Sequence, residues 1–290
     1  MTRDSALEAE LARCLDGESR AGDARMSASG RIHTGRRGPR ADISRQDPPN
    51  PSTVRTIGRP IYAFQQLGST MDEAHRLAQE GAPEGALVLA LRQEQGRGRL
   101  GRTWVSPDGG LYCSIVLRPK QPAAAQLSLV AGLAAAETLR DAACVYPSIK
   151  WPNDLLLGGK KLGGILAEAR DGAVILGIGI NVSRPAEALP DTATSLAASG
   201  ASHCSRDDVL AGLCRKLSGW YDVWAEQGFA PIREALRPWM GHFGQPVKLT
   251  AGSSQLEGVA QDLDEQGRLV VRLDSGILRA FDAGEVTLLR

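Results

Sequence analysis

An α+β fold is what the distribution of apolar residues predicts for this chain of 290 residues, with a sheet-and-helix domain followed by a small β-barrel. Residues 86–91, 111–117 and 173–182 are short apolar runs bounded by turn residues, as buried strands are. Residues 126–139 form a helix-length stretch rich in alanine, with Gly132 in its middle, and this suits close packing on a sheet. From Gly241 the rhythm changes to short strands at 247–249, 257–260, 269–273 and 277–281, separated by Asp264-Glu265-Gln266-Gly267 and Asp274-Ser275-Gly276. That count predicts a barrel of about fifty residues. The boundaries expected are 1–56 for an N-terminal extension, 57–240 for the main domain and 241–290 for the barrel. Alone, the last is small for its own core and should dock on the main domain.

Composition narrows the function. The net charge of +1 supplies no bulk attraction to nucleic acid or membrane, so any such contact has to be local. Five cysteines, Cys14, Cys113, Cys144, Cys204 and Cys214, are scattered without a C-x-x-C pair, which fits reduced thiols in a cytoplasm. No two of the four histidines have metal-ligand spacing, and no apolar run approaches the ~18 residues of a membrane span.

Residues 1–56 contain no Phe, Trp or Tyr and are filled with Arg, Asp, Ser, Gly and Pro, so disorder is expected there. Leu7, Leu11 and Leu15 recur at helical spacing, but nothing nearby in sequence offers that face a partner. Ordered chain should begin near Ile61-Tyr62-Ala63-Phe64, a short strand. Next comes Gly68-Ser69-Thr70-Met71-Asp72-Glu73, in which Thr70 and Glu73 make a capping-box pattern ahead of a stripe of Ala74, Leu77 and Ala78. Ser69 and Thr70 either cap this helix or, with its first N–H groups, bind a polar ligand head.

The stretch Arg92-Gln93-Glu94-Gln95-Gly96-Arg97-Gly98-Arg99-Leu100-Gly101-Arg102-Thr103-Trp104 packs four arginines and three glycines into one loop between two strands. Glycine lets backbone N–H groups come close to a ligand, and a guanidinium offers a planar fork to carboxylate or phosphate. An anion site, a solvated loop and a nucleic-acid contact all fit this loop alone, though functional groups gather on loops held by rigid elements. Gly96, Gly98 and Gly101 also match G-x-G-x-x-G. A dinucleotide fold would need a helix opening in the loop and an acidic residue ~20 positions on, whereas turn residues leading to a strand follow, and no carboxylate lies between Asp108 and Glu137.

A second informative stretch runs from Ile149 to Leu166. Gly158-Gly159 is a two-residue hairpin signal, so Lys160 and Lys161 should point to opposite faces. Pro152 cannot donate to a ladder, and Trp151-Pro152-Asn153-Asp154 should present Asn153 and Asp154 at a bend. In the strand over 173–182, Gly177 and Gly179 share one face, leaving room for a flat ligand or a crossing backbone, or marking ordinary close sheet packing. Further on, Val209, Leu213, Leu217, Trp220, Tyr221 and Trp224 give the helices of 205–239 an apolar, core-type face.

Two separated blocks carry a resemblance. Gly96-Arg97-Gly98-Arg99-Leu100-Gly101-Arg102-Thr103-Trp104, and Lys150-Trp151-Pro152-Asn153-Asp154 with Lys161 and Gly164-Ile165-Leu166, look like the two signatures of the biotin protein ligase family, of the monofunctional type. Gly177-Ile178-Gly179-Ile180-Asn181-Val182 and the C-terminal tail are similar as well. The resemblance implies a mixed-sheet, biotin/lipoate ligase-like catalytic domain, akin to class II aminoacyl-tRNA synthetases, with an SH3-like C-terminal barrel. It further implies ATP-dependent activation of biotin as biotinyl-5'-AMP, with Mg²⁺, and transfer to a lysine of a biotin carboxyl carrier protein. By the same resemblance Arg97, Arg99 and Lys161 surround the carboxylate and phosphate. Ser69, Thr70 and Gln93 hold the biotin head, Gly96 and Gly98 shape the loop around it, and Trp104, Asn153 and Asn181 border the nucleotide. One departure is Met71, where the family usually has asparagine. A DNA-binding helix-turn-helix needs two packed helices, and residues 1–56 lack the apolar residues for them. Lipoate ligase shares the chemistry but resembles the two blocks less well. A non-catalytic nucleotide or RNA binder would have no use for Lys161 or Asn153.

Overall fold

The computed structural model describes residues 2–17, 56–121, 123–251 and 254–289. The first element is a helix, α1 (Ser5–Leu15), capped by the Asp4 carboxylate, which accepts from the N–H groups of Ala6 and Leu7. Its Leu7 and Leu11 are buried. The expectation of disorder over 1–56 therefore fails for residues 2–17, and residues 18–55 lie outside the described residues. The partner for the leucine face is remote in sequence. It is provided by β1 (Ile61–Leu67) and, across the chain, by α4 (Arg206–Gln227). The Asp4 N–H donates to the Ala63 carbonyl at 2.8 Å, and the Ala63 N–H donates to Glu8 Oε1 at 3.1 Å, so α1 caps the free edge of β1.

From β1 the chain continues through α2 (Thr70–Gln79), β2 (Leu87–Gln93), β3 (Gly110–Leu117) and α3 (Ala124–Ala143). Four more strands follow, β4 (Ser148–Lys150), β5 (Asp154–Leu157), β6 (Lys160–Arg170) and β7 (Ala173–Asn181), and then α4 and α5 (Ala230–Leu236). The seven strands form one sheet in the order β1-β2-β3-β7-β6-β5-β4. Only β1 and β2 run parallel, because α2 lies between them as a crossover; the other pairs are antiparallel. The sheet is mixed, as the resemblance implied.

Alternation along the strands sorts the core into two layers. Leu111, Cys113, Ile115 and Leu117 of β3, with Val174, Leu176, Ile178 and Ile180 of β7, pack in the cluster that holds α3 and α4. Val116 and Ile175 face the opposite side with Met71, Ala74 and Leu77 of α2. The small-residue contact anticipated at Gly132 is ordinary, since a Cβ there would lie 3.7 Å from Ile149 and Ile165; the tight approach is at Gly212, where it would lie 2.7 Å from Thr138.

Five C-terminal strands, β8 (Pro246–Ala251), β9 (Ser254–Leu263), β10 (Leu269–Arg272), β11 (Leu278–Phe281) and β12 (Glu285–Leu288), make an antiparallel sheet in the order β11-β10-β9-β8-β12. It docks as its small core requires. The Trp151 indole N–H donates to the Gly267 carbonyl at 3.1 Å and the Gln126 amide to the Glu265 carbonyl at 2.8 Å. At the junction His242 is buried, edge-on to Phe243, with Nε2 unpartnered.

Burial pushes the His242 pKa down to about 4, with Lys150 adding to the effect. In the unfolded chain the imidazole would take up its proton near pH 6.5, so stability is lost as pH falls from about 6.5 towards 4, by about 3 kcal/mol in full. A His242→Leu variant should therefore lose less melting temperature than the parent between pH 7 and 4.5, measured by thermal unfolding. Equal losses in the two proteins would remove His242 from the account.

Candidate functional site

The site lies on the α2 side of the sheet, beneath the glycine-arginine loop. Strand register puts Gly164 opposite Gly179 and Leu166 opposite Gly177, and it sets Ser114 beside Gly177. This makes a patch of sheet almost bare of side chains. The chain's own side chains, Trp104 and Met71, lie on this bare face. A Cβ on Gly179 would lie 2.6 Å from Nε1 of Trp104 and one on Gly164 would lie 3.3 Å from the same ring, while one on Gly177 would lie 2.5 Å from the Met71 sulfur.

At one end of the patch runs a directed chain of hydrogen bonds. Ser114 Oγ donates to Thr70 Oγ1 at 2.8 Å, and Thr70 Oγ1 and N–H both donate to Gln93 Oε1, at 3.0 and 2.8 Å. Gln93 Nε2 then donates to Ser106 Oγ at 2.9 Å, and Ser106 Oγ to the Trp104 carbonyl at 2.9 Å. The capping box read from Thr70 and Glu73 does not form. Thr70 is already the first helical residue and spends its hydroxyl on Gln93, while Glu73 pairs with Arg76. Ser69 stands at the N-cap without a capping bond, and its hydroxyl is buried with no partner.

The loop itself is a small hairpin. Trp104 N–H donates to the Gly96 carbonyl at 2.8 Å, and Gly98 N–H to the Arg102 carbonyl at 2.8 Å. Its tip turns at Leu100 and Gly101, whose φ angles of +57° and +72° lie in the left-handed region, and Leu100 is 80% exposed. Gly96 is required by a close approach, since any side chain would run into the Trp104 carbonyl oxygen.

The three arginines of the hairpin have three destinations. Arg97 reaches Asp72 at 2.6 Å and Glu168 at 2.5 Å. Burial opposes its charge, but these two carboxylates outweigh it and hold the pKa above the usual arginine value. Arg102 donates to Glu285 at 2.8 Å, joining the loop to β12. Arg99 is different. Its Nη1 meets only the amide oxygen of Asn153, at 3.2 Å, and burial lowers its pKa, with Asp154 and Arg102 as lesser influences. A guanidinium stays protonated even so, so a half-desolvated cation stands here without a carboxylate at ion-pair distance among the described residues.

Asn153 sits at the predicted bend, its Nδ2 donating to the Ile165 carbonyl at 3.0 Å. The hairpin at Gly158-Gly159 forms with both φ angles positive, at +58° and +78°. Lys161 Nζ lies 2.7 Å from Asp154 Oδ1 and 5.4 Å from the centre of the Trp104 ring, a cation-π distance.

One cavity thus gathers Thr70, Gln93, Arg97, Gly98, Arg99, Trp104, Asn153 and Lys161. Three expected residues do not line it. Gly96 and Ser69 are buried outside its lining, and Asn181 is buried with its amide turned to the Thr194 carbonyl and its oxygen accepting from Arg184. Missed as site members were Asp154, which the bend already placed beside Asn153, and Glu285, which no local pattern connects to a loop 183 positions away.

The chain is similar to known proteins in both sequence and fold. A family model described as Biotin/lipoate A/B protein ligase family matches residues 63–184, and one described as Biotin protein ligase C terminal domain matches residues 242–289. The bifunctional ligase/repressor BirA of Bacillus subtilis is 34% identical over 242 residues, covering 79% of this chain and 74% of that protein. The biotin--[acetyl-CoA-carboxylase] ligase of Paracoccus denitrificans is 37% identical over 223 residues, covering 72% of this chain and 92% of that one. The solved structure of the biotin protein ligase from Aquifex aeolicus in complex with biotin and ATP superposes with a TM-score of 0.71 at 33% identity, covering 80% of this chain and 99% of that chain.

The contact between Gly179 and Trp104 is testable without any ligand. Gly179→Ala should displace the indole, shifting its fluorescence to the red and costing about 1–3 kcal/mol of stability, whereas Gly132→Ala meets ordinary contacts and should leave the spectrum unchanged. Identical spectra for the Gly179 variant and the parent would contradict the packing described.

Proposed function

From a chain that belongs to the biotin/lipoate A/B protein ligase family, we propose the following working of the site. The protein is an ATP-dependent biotin–protein ligase. Its biotin carboxylate attacks the α-phosphorus of ATP, pyrophosphate leaves, and the resulting biotinyl-5'-AMP is then attacked at its acyl carbon by a neutral lysine amine, releasing AMP. The acceptor is the lysine of a biotin carboxyl carrier domain.

The observation that carries this reading is Arg99, a half-buried cation beside a cavity and short of an anion. The first step forces a carboxylate against a phosphate, so it needs fixed positive charge more than an activated nucleophile. Arg97, Arg99 and Lys161 supply that charge, each held in place beforehand, which avoids reorganisation as the reaction proceeds. Thr70 and Gln93, which line the cavity, offer donors and acceptors to the ureido ring of biotin. Met71 gives this end of the cavity a thioether where an amide is usual, so the contact of that side chain with the ligand is apolar.

Trp104 and Asn153 border the nucleotide, with Lys161 above the indole face. Mg²⁺ enters with the nucleotide as part of the substrate and neutralises the departing pyrophosphate. The loop closes the cavity over an intermediate that water would otherwise hydrolyse. Asn181 acts at one remove, fixing the segment after β7 through Thr194.

The test is biotin-dependent exchange of pyrophosphate into ATP, with mass spectrometry of a carrier domain after incubation with biotin, ATP and Mg²⁺. Lys161→Ala should lower the exchange rate about 100-fold, the loss expected for one preorganised cation. Arg99→Gly should release adenylate and label unrelated lysines. Exchange with lipoate in place of biotin would reassign the substrate, and exchange with neither would overturn the ligase reading.

A further inference from the structure

Arg97 is held in a way that its two neighbouring arginines are not. Its Nη1 meets Asp72 Oδ1 in the first turn of α2 at 2.6 Å, and its Nη2 meets Glu168 Oε1 in β6 at 2.5 Å. The second oxygen of Glu168 lies 3.1 Å from Nε2 of His75, one turn along α2 from Asp72. The helix therefore grips the guanidinium twice, directly through Asp72 and indirectly through the pair of His75 and Glu168. His75 is only 14% exposed and Glu168 30%, so the inner half of this cluster is shielded from water.

An exposed ion pair by itself adds little to stability, but a guanidinium that bridges carboxylates on two separate elements restricts geometry. The backbone of Arg97 is bridged to Thr103 across the hairpin. Fixing the Arg97 side chain thus fixes the arm that carries Gly98 and Arg99 over the cavity. Both terminal nitrogens of Arg97 already hold carboxylates, whereas Arg99 has none.

We propose that Asp72 and Glu168, with His75 behind Glu168, are positioning residues that clamp the glycine-arginine loop to α2 and β6 through Arg97. On the ligase reading given above, on which the catalytic part of this inference rests, the clamp sets how firmly biotin and the adenylate are retained. It fixes Arg97 beside Arg99 and Lys161 in the cavity wall and supplies the loop's anchorage.

The experiment uses the full chain, with Asp72→Asn combined with Glu168→Gln, which keep the shapes and remove the charges, and with Glu168→Asp as the charge-retaining control. Amide hydrogen exchange over residues 96–104 should quicken about tenfold in the double variant while the rest of the domain and the melting temperature hold. In biotin-dependent pyrophosphate exchange, KM for biotin should rise about tenfold with kcat within about threefold, and Glu168→Asp should recover most of both effects. Unchanged loop protection, or loss of protection across the whole domain with a fall in melting temperature, overturns the clamp. A parent protein that shows no exchange with biotin, but whose loop still loosens in the double variant, overturns the ligase reading and leaves the clamp standing.

Discussion

The structure depends on one unbalanced charge. Arg99 is half withdrawn from water, its protonated form is disfavoured by that withdrawal, and the group facing it is a neutral amide. Buried cations are ordinarily paired because desolvation is expensive. Here the surrounding fold holds the cost open. Asn153 orients the guanidinium, and the Asn153 side chain is itself tied to the backbone of β6. A ligand anion would complete the pair.

Around that charge the sheet supplies flatness. An antiparallel register aligned three glycines of β6 and β7 on one face, and Trp104 and Met71 fill the space they leave. The indole could not lie there over any larger residue, so the position of a loop side chain is set by the absence of side chains two strands away. The polar chain from Ser114 through Thr70 and Gln93 to Ser106 does the same at the other end. It ties α2 and β2 to β3 and fixes the base of the loop from below.

Much of this was legible in the residues, and the pattern of failures has a physical cause. Strands and helices came from local periodicity, and Gly158-Gly159 fixed a turn that only its own φ angles had to satisfy. The two signature blocks identified most of the cavity wall. What could not be read was settled by distant partners. The leucines of α1 looked stranded because their surface lies on β1 and α4. Thr70 looked like half of a capping box because nothing local shows that Gln93 will claim its hydroxyl. Asn181 resembles a site residue in sequence, yet its amide is spent on Thr194 once the chain beyond β7 folds back.

The same reasoning explains why a run of near-identical residues performs unlike tasks. Arg97, Arg99 and Arg102 are separated by one and two residues, and composition alone would make them interchangeable. The hairpin separates them. Its left-handed turn at Leu100 and Gly101 reverses the chain between Arg99 and Arg102, so that the first arm faces α2 and Asn153 while the second faces β12. Glu285, whose pKa the Arg102 hydrogen bond lowers, holds the outer arm to the C-terminal sheet. That pair is well exposed and water screens it, so it contributes direction more than stability. With one arm tied to the catalytic sheet and the other to the small domain, the loop spans the junction between them. The docking of that domain through Trp151 and Gln126 is then part of the site's construction, because it fixes where the outer arm can be held.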